Sequence, residues 1–259
     1  MFINKQNTLL TVDKISLRFG GLRALDKASF EVEQGSIFGL IGPNGSGKTC
    51  VLNCINRFYH PEAGRIFFDG IEISNAAPER IAKSGVARTF QNIALFRGMT
   101  VLDNIKVGRQ INMESGFLSC GIHFGKAQNE EIRERKFIEE EIIDVLQLEA
   151  MRDSIVGTLP YGKQKLVELA RALALQPKLL LLDEPSAGMN QEETEDIIRY
   201  ILDIKLLWSL TIILVEHNME VVTDICDYCC VLNYGRVIAL GLPADIQNNE
   251  EVIKAYIGE

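Results

Sequence analysis

Apolar and polar residues follow two different periods along this chain. They alternate at residues 9–19 and 28–32, which is typical of strands with one buried face. Nearly unbroken apolar runs stand instead at 37–41, 179–183 and 212–216. Runs of this length, separated by helical patterns, predict a parallel sheet covered on both faces.

The remaining patterns predict further strands and several helices. An Asp-Gly pair between β-prone residues predicts a hairpin that widens the early antiparallel strands into a flap. Additional strands are expected at 64–73, 86–89, 230–234 and 237–240, and helices at 101–107, 130–148, 192–207 and 250–257.

A glycine-rich stretch follows the apolar run at 37–41 and leads into another helix. Its sequence, GPNGSGKT, matches G-x-x-x-x-G-K-[ST], in which backbone N–H groups surround phosphate and the helix dipole adds positive potential. Lys48 is expected to bridge the β- and γ-phosphates, and the Thr49 hydroxyl to bind Mg²⁺. The predicted nucleotide-binding residues here are Gly42, Pro43, Asn44, Gly45, Ser46, Gly47, Lys48, Thr49 and Cys50.

Composition narrows the class of protein. The chain has 259 residues, 47% hydrophobic and 24% charged, which fits a folded globular chain rather than a disordered one. Its net charge of −8 argues against a nucleic-acid partner, which requires a basic face. No apolar run reaches the length of a membrane span and no signal peptide is evident, so a cytoplasmic location is expected.

Three of the six cysteines cluster in the sequence CDYCC. Cys226 and Cys229 have the C-x-x-C spacing of zinc ligands, but no second pair or histidine lies near them in the sequence. Buried thiols that pack as small apolar side chains are therefore expected.

Two adjacent carboxylates stand at the end of the run LLLLDEP. The carboxyl end of a buried parallel strand opens beside the phosphate-binding loop, so Asp183 is expected in the shell of Mg²⁺. Glu184 is expected to polarise the attacking water as general base. Because neighbouring strand residues point to opposite faces, the two carboxylates are predicted to have different tasks.

His217 and Gln91 follow two further predicted strands. His217 is expected to hydrogen-bond the γ-phosphate and to register its presence. Gln91 can contact both Mg²⁺ and the attacking water through its amide. Since Gln91 also begins the helical segment, loss of the γ-phosphate is expected to move that segment.

The order of these motifs resembles the ATP-binding cassette of ABC transporters. The phosphate loop, TFQN, LPYGKQ, LLLLDEP, SAG and EHN follow one another as in that family, and the likeness covers essentially the whole chain. It implies an α/β P-loop NTPase that binds ATP and Mg²⁺. It also implies one cassette, with a RecA-like core and antiparallel β flap at 1–90 and 165–259 and an inserted α-helical subdomain at 91–164.

Several stretches are similar to the LivG type of branched-chain amino acid transporter ATPase: RFGGLRAL, LPYGKQ, DEPSAGMN, VEHNM and AYIGE, with an insertion at 111–126. The likeness implies that Phe19 stacks on adenine and that two cassettes dock head to tail. Each ATP would then lie between one phosphate loop and the partner's signature stretch. That stretch is Leu159, Pro160, Tyr161, Gly162, Lys163 and Gln164, and the D-loop is Ser186, Ala187 and Gly188.

The resemblance also implies the partners and the location. They are a second cassette, identical or different, two transmembrane permease subunits, and indirectly a solute-binding protein, so that the chain lies on the inner face of the membrane. The apolar residues expected to contact a permease helix are Leu95, Phe96, Met99 and Val101.

Two residues depart from the general LSGGQ pattern of the family. Pro160 stands where a serine hydroxyl would reach the partner's γ-phosphate, and Lys163 replaces the first glutamine. Proline supplies neither a hydroxyl nor an N–H, although it suits the first turn of a helix. The sequence therefore leads to the hypothesis of two unequal ATP sites in a heterodimer.

Three alternatives remain. A lipopolysaccharide-exporter cassette has a similar ending, but typically has Asp where this chain has Glu216 and lacks the insertion. A nucleic-acid-handling ABC ATPase would carry long coiled coils or a second cassette. A scaffold without turnover is disfavoured by Glu184 and His217. The sequence does not identify the transported solute, which is a leucine-like amino acid, urea or another amide.

Overall fold

The structure is a computed structural model that describes residues 7–91, 93–110 and 126–257, without the side chains of 126–131. Its strands are β1 (Thr8–Phe19), β2 (Leu22–Glu33), β3 (Ile37–Ile41), β4 (Ala63–Phe68), β5 (Ile71–Glu72), β6 (Val86–Arg88), β7 (Leu179–Asp183), β8 (Thr211–Val215), β9 (Tyr228–Asn233) and β10 (Arg236–Gly241). Its α-helices are α1 (Lys48–Ile55), α2 (Pro78–Lys83), α3 (Val101–Arg109), α4 (Lys126–Phe137), α5 (Tyr161–Leu173), α6 (Gln191–Trp208), α7 (Met219–Ile225), α8 (Pro243–Gln247) and α9 (Glu250–Ile257).

The larger sheet explains where the predicted site residues meet. Its strand order is β10-β9-β3-β8-β7-β6, and all neighbours are parallel except the antiparallel pair β9 and β10. The loop after β3, Gln91 after β6, Glu184 after β7 and His217 after β8 therefore leave the sheet at one edge. In such sheets ligands bind at the carboxyl ends of the strands.

The second sheet is the predicted antiparallel flap. Its strands run in the order β2-β1-β4-β5, and the hairpin between β4 and β5 turns at Asp69-Gly70, as predicted. β2 is longer than the predicted 28–32, because it pairs with β1 along almost its whole length.

Alternation along the central strands builds two hydrophobic cores. In β8, Ile212 and Leu214 belong to one buried cluster with the helices α3, α5 and α6, whereas Ile213 and Val215 belong to a second cluster with α1 and the flap. Both faces of the sheet are thus covered, which is why these strands are apolar without interruption.

The helical part differs from its sequence prediction in two ways. The helix expected at 130–148 begins at Lys126 and changes into a π-helix over Ile138–Ile143. Ile132, expected on its apolar face, is 58% exposed. The insertion at 111–126 lies, apart from Lys126 at the start of α4, outside the described residues. The predicted boundaries of the helical subdomain stay a prediction.

Four of the described cysteines are buried, including the three of the CDYCC cluster as predicted, whereas Cys50 is only partly buried. Cys54, Cys226, Cys229 and Cys230 are inaccessible, and burial raises the pKa of Cys54 to about 12. In β3, a Cβ added to Gly39 would lie 2.9 Å from the Cys229 Sγ and 3.1 Å from the Cys226 Sγ. The two thiols therefore occupy the space that a side chain at position 39 would need.

A search of the described residues finds no helix that is both long and apolar enough to cross a membrane.

Candidate active site

The phosphate loop, residues 42–49, is shaped by glycines that no other residue could replace. Gly42 has φ 143°, and an added Cβ would lie 2.1 Å from the Leu232 carbonyl oxygen. Gly47 has φ 106°, and its Cβ would lie 2.8 Å from the Ala24 carbonyl oxygen. Both positions combine a left-handed backbone with a close neighbouring chain, so the loop conformation depends on glycine.

Lys48 is buried inside this loop. Its Nζ donates hydrogen bonds to the carbonyl oxygens of Gly42 at 2.8 Å and Pro43 at 2.9 Å. Burial lowers the pKa of Lys48, while the negative charges of Glu184 and Asp183 oppose that shift. Both carboxylates therefore lie close enough to act on the Lys48 charge, as predicted from the strand ends.

Asp183 is held by a residue that the sequence did not single out. Its Oδ2 accepts a hydrogen bond from Arg88 Nη2 at 2.8 Å, and Arg88 Nη1 donates to Asn53 Oδ1 at 2.6 Å. Arg88 and Asp183 are 6% and 1% exposed, so this is a buried ion pair. Arg88 links β6 and α1 to the end of β7 and fixes the orientation of the Asp183 carboxylate.

Glu184 lies at the centre of the remaining site residues. Its Oε2 accepts a hydrogen bond from Gln91 Nε2 at 2.9 Å, and its Oε1 lies 2.7 Å from His217 Nε2. The predicted separation from Asp183 is present, but the expected cause was wrong. Glu184 lies beyond the strand and has φ 51°, so this left-handed residue, not strand alternation, turns its side chain away.

Glu216 joins the predicted D-loop to the predicted histidine. Its Oε1 accepts hydrogen bonds from the Ser186 N–H at 3.2 Å and the Ser186 hydroxyl at 2.7 Å. Its Oε2 accepts the His217 N–H at 3.2 Å. This buried carboxylate fixes the loops after β7 and β8 to each other, a role that the sequence did not reveal.

The signature stretch forms the start of α5. Pro160 is the N-cap residue with an extended backbone, and Gln164 Nε2 donates to the Leu159 carbonyl oxygen at 2.8 Å. A Cβ on Gly162 would lie 2.5 Å from Glu193 Oε1, so a larger residue here would displace the Glu193 carboxylate. Among the described residues, no hydrogen bond or ion pair joins this stretch to the phosphate loop of the same chain.

The residue expected to stack on adenine and the residues expected to contact a permease helix are only partly placed as predicted. Phe19 is exposed at the end of β1, edge-on to Tyr59 with ring centroids 5.0 Å apart, and its stacking on adenine stays a prediction. Of the apolar residues expected to meet a permease helix, Phe96 and Met99 are exposed and Leu95 is partly buried. Val101 is fully buried in the core, so its assignment to that surface was wrong.

The residues at the phosphate loop fit a nucleoside triphosphate with bound Mg²⁺. Ser46 Oγ and Asp183 Oδ1 are buried oxygens without a hydrogen-bond partner in the structure. Mg²⁺ in nucleotide sites is typically held by one or two carboxylates together with phosphates and water.

A glycine-shaped phosphate loop at the edge of a parallel sheet, with a carboxylate, an amide and an imidazole beside it, defines a P-loop nucleoside triphosphatase. Sequence comparison gives the family. A family model described as ABC transporter matches residues 25–187, and a second, described as Branched-chain amino acid ATP-binding cassette transporter, matches residues 236–259. The chain belongs to the ABC transporter family, as its motif order predicted. It is thus an ATP-hydrolysing subunit whose activity is coupled to transport.

Similar proteins cover the whole chain. The high-affinity branched-chain amino acid transport ATP-binding protein BraF of Pseudomonas aeruginosa is 39% identical over 97% of this chain and 98% of its own length. The corresponding protein LivG of Escherichia coli K12 is also 39% identical, over 97% of this chain and 98% of its own. A crystal structure of the ADP conformation of a cassette from an ABC transporter has a TM-score of 0.84 at 32% identity, covering 97% of this chain and 99% of that one.

Proposed function

We propose that this chain hydrolyses ATP with Mg²⁺ at the phosphate loop and thereby powers the uptake of branched-chain amino acids. The observation that carries the chemistry is the position of Glu184, whose two oxygens are bound by Gln91 and His217 beside the buried Lys48. The similarity to BraF and LivG along almost the whole chain supports the cargo.

The phosphate loop and Lys48 hold the triphosphate. Backbone N–H groups of a glycine-rich loop and the start of α1 bind phosphate oxygens. Lys48 exchanges its two carbonyl partners for the β- and γ-phosphates, and the phosphate charge offsets the burial that lowers its pKa. Thr49, Gln91 and Asp183 would hold Mg²⁺, which neutralises charge that develops on the phosphate oxygens.

Glu184 acts on the attacking water. It accepts the proton of that water as general base, an effect typically worth about 10² to 10⁴ in rate. Gln91 positions the same water through its amide, and His217 donates a hydrogen bond to the γ-phosphate. Because both residues already touch the Glu184 carboxylate, each can set its orientation.

The complete unit contains further subunits. A second cassette places its signature stretch over this chain's ATP, while Leu159–Gln164 of this chain meets the partner's ATP. Transmembrane permease subunits contact the surface formed by Phe96 and Met99, and the chain lies on the cytoplasmic face of the membrane. The exposure of both side chains and the membership of a transporter family support this arrangement.

Reconstitution tests the proposal directly. The chain is co-purified with its membrane subunits, placed in proteoliposomes with the matching solute-binding protein, and assayed for ATP-dependent uptake of labelled leucine. We expect leucine to stimulate ATP hydrolysis and to accumulate. ATP hydrolysis that urea or another amide stimulates while leucine does not would overturn the cargo. Absence of ATP hydrolysis would overturn the proposal that this site hydrolyses ATP.

A further inference from the structure

The segment from Phe90 to Ala94 carries Gln91, and its described residues Phe90, Gln91, Ile93 and Ala94 lie outside helices and strands. These residues follow β6 and precede α3, so neither a helix nor a sheet supplies hydrogen-bond partners for their backbone N–H and C=O groups. Buried backbone groups nearly always find a partner. For Phe90, Gln91 and Ala94, side chains of one helix, α5, bind these backbone groups.

Three charged residues on α5 bind that backbone. Lys165, Glu168 and Arg171 are spaced by three, which places them along one side of the helix. Lys165 Nζ donates to the Gln91 carbonyl oxygen at 3.1 Å and lies 3.5 Å from that of Phe90. Glu168 Oε1 accepts the N–H groups of Phe90 and Ala94, both at 3.3 Å.

Arg171 completes the set, because its Nη1 donates to the Ala94 carbonyl oxygen at 2.6 Å. We call these three side chains the α5 clamp. Each of these hydrogen bonds goes to a backbone atom of Phe90, Gln91 or Ala94, so the clamp fixes the path of the backbone at these residues whatever their side chains are.

Two members of the clamp are charged groups in the interior. Lys165 is 5% and Glu168 is 1% exposed. Burial lowers the pKa of Lys165 and raises that of Glu168, and each charge partly offsets the shift of the other. Charged side chains are almost never fully buried unless they are paired. Their burial here serves contacts to one short segment.

We propose that the α5 clamp is a positioning device that holds the Gln91 amide against Glu184. This inference rests on the proposed role of Gln91 in hydrolysis. Its physical basis is that three side chains of one helix bind the backbone on both sides of Gln91 and at Gln91 itself.

Two substitutions of Glu168 separate positioning from stability. Glu168→Gln keeps an oxygen that accepts both N–H groups, whereas Glu168→Leu leaves them without a partner. We expect the leucine variant to lower kcat by roughly 10- to 100-fold, since a displacement of about 1 Å costs about that much. The KM for ATP should change less than kcat, because the phosphate loop is untouched. The glutamine variant should restore kcat.

A double-mutant cycle with Gln91→Ala identifies the route of the effect. If Glu168 acts through Gln91, Glu168→Leu should lower kcat little further in the Gln91→Ala background, because neighbouring sites that act together are not additive. Asn104→Leu is the matched control. Asn104 is a buried side chain that binds the backbone of Phe96 and Thr100 but not the segment from Phe90 to Ala94.

The outcomes of the cycle separate the positioning role of the α5 clamp from the role of Gln91 in hydrolysis. An Asn104→Leu variant that lowers the melting temperature as much as Glu168→Leu, while keeping kcat near the native value, supports a positioning role. Fully additive losses, or equal losses in kcat for both variants, would overturn the clamp. If Gln91→Ala itself leaves kcat unchanged, the proposed role of Gln91 fails instead.

Discussion

Replacing Arg88 by methionine should be among the most destabilising single changes in this chain. The substitution keeps an unbranched apolar stem but removes the guanidinium that binds Asp183, whose other oxygen already has no hydrogen-bond partner. Both members of the pair are almost inaccessible. Breaking a buried ion pair by removing one partner costs about 3–5 kcal/mol, because it leaves an uncompensated buried charge.

The expected loss of stability can be compared with that of a surface ion pair at a similarly short distance. Lys178 Nζ lies 2.6 Å from Asp69 Oδ2, but these side chains are 57% and 53% exposed. An exposed pair contributes about 0.2–1 kcal/mol, so Lys178→Met should be nearly neutral. For a chain of this size the Arg88 variant should then melt about 6–20 °C below the native protein, at about 2–4 °C per kcal/mol.

Thermal unfolding, followed by circular dichroism at fixed protein concentration without nucleotide, measures the melting temperature of both variants. The double variant Arg88→Met with Asp183→Asn should recover part of the loss, because the buried charge is then gone. A midpoint for Arg88→Met no lower than that of Lys178→Met would refute the reasoning. So would a double variant that is less stable than Arg88→Met alone.

Three further predictions concern the nucleotide site. Glu184→Gln should slow ATP hydrolysis by about 10²-fold or more while ATP binding persists and closed dimers accumulate, as size-exclusion chromatography with ATP can show; hydrolysis at the native rate would contradict its role as base. Gly47→Ala should abolish ATP binding in a fluorescent-nucleotide titration, since its Cβ would lie 2.8 Å from the Ala24 carbonyl oxygen; binding at native affinity would contradict the fit. Pro160→Ser should raise hydrolysis at the partner's site when the two sites are measured separately, and an unchanged rate there would argue against unequal sites.

Much of the architecture could be predicted because it depends on short-range patterns. The buried strands at 179–183 and 212–216 and the final helix at 250–257 follow from apolar runs and periodicity, and the structure has them within one residue of the predicted ends. Parallel strands with a common edge then bring Glu184 and His217 together without further information. The phosphate loop could be located because its glycine spacing reflects a backbone requirement.

The rest depended on tertiary contacts that no local pattern records. Arg88, Lys165 and Glu168 look like ordinary surface charges in the sequence, and only the folded chain shows that they are buried against specific partners. Ile132 was misjudged because a helical stripe does not reveal where its neighbours end. Glu184 was assigned the right separation for the wrong reason, since a single left-handed residue ends the alternation of β7.

The contact between Gly39 and the two thiols beneath it has a practical bearing on spectroscopic labelling of this transporter subunit. A cysteine-free background must place residues no larger than the thiols at 226 and 229, since a Cβ at position 39 would already lie 2.9 Å from one sulfur atom. Alanine or serine fits that volume. A valine at 229 would press on β3, the strand that leads directly into the ATP-binding loop, and reporters attached elsewhere would then record a distorted site.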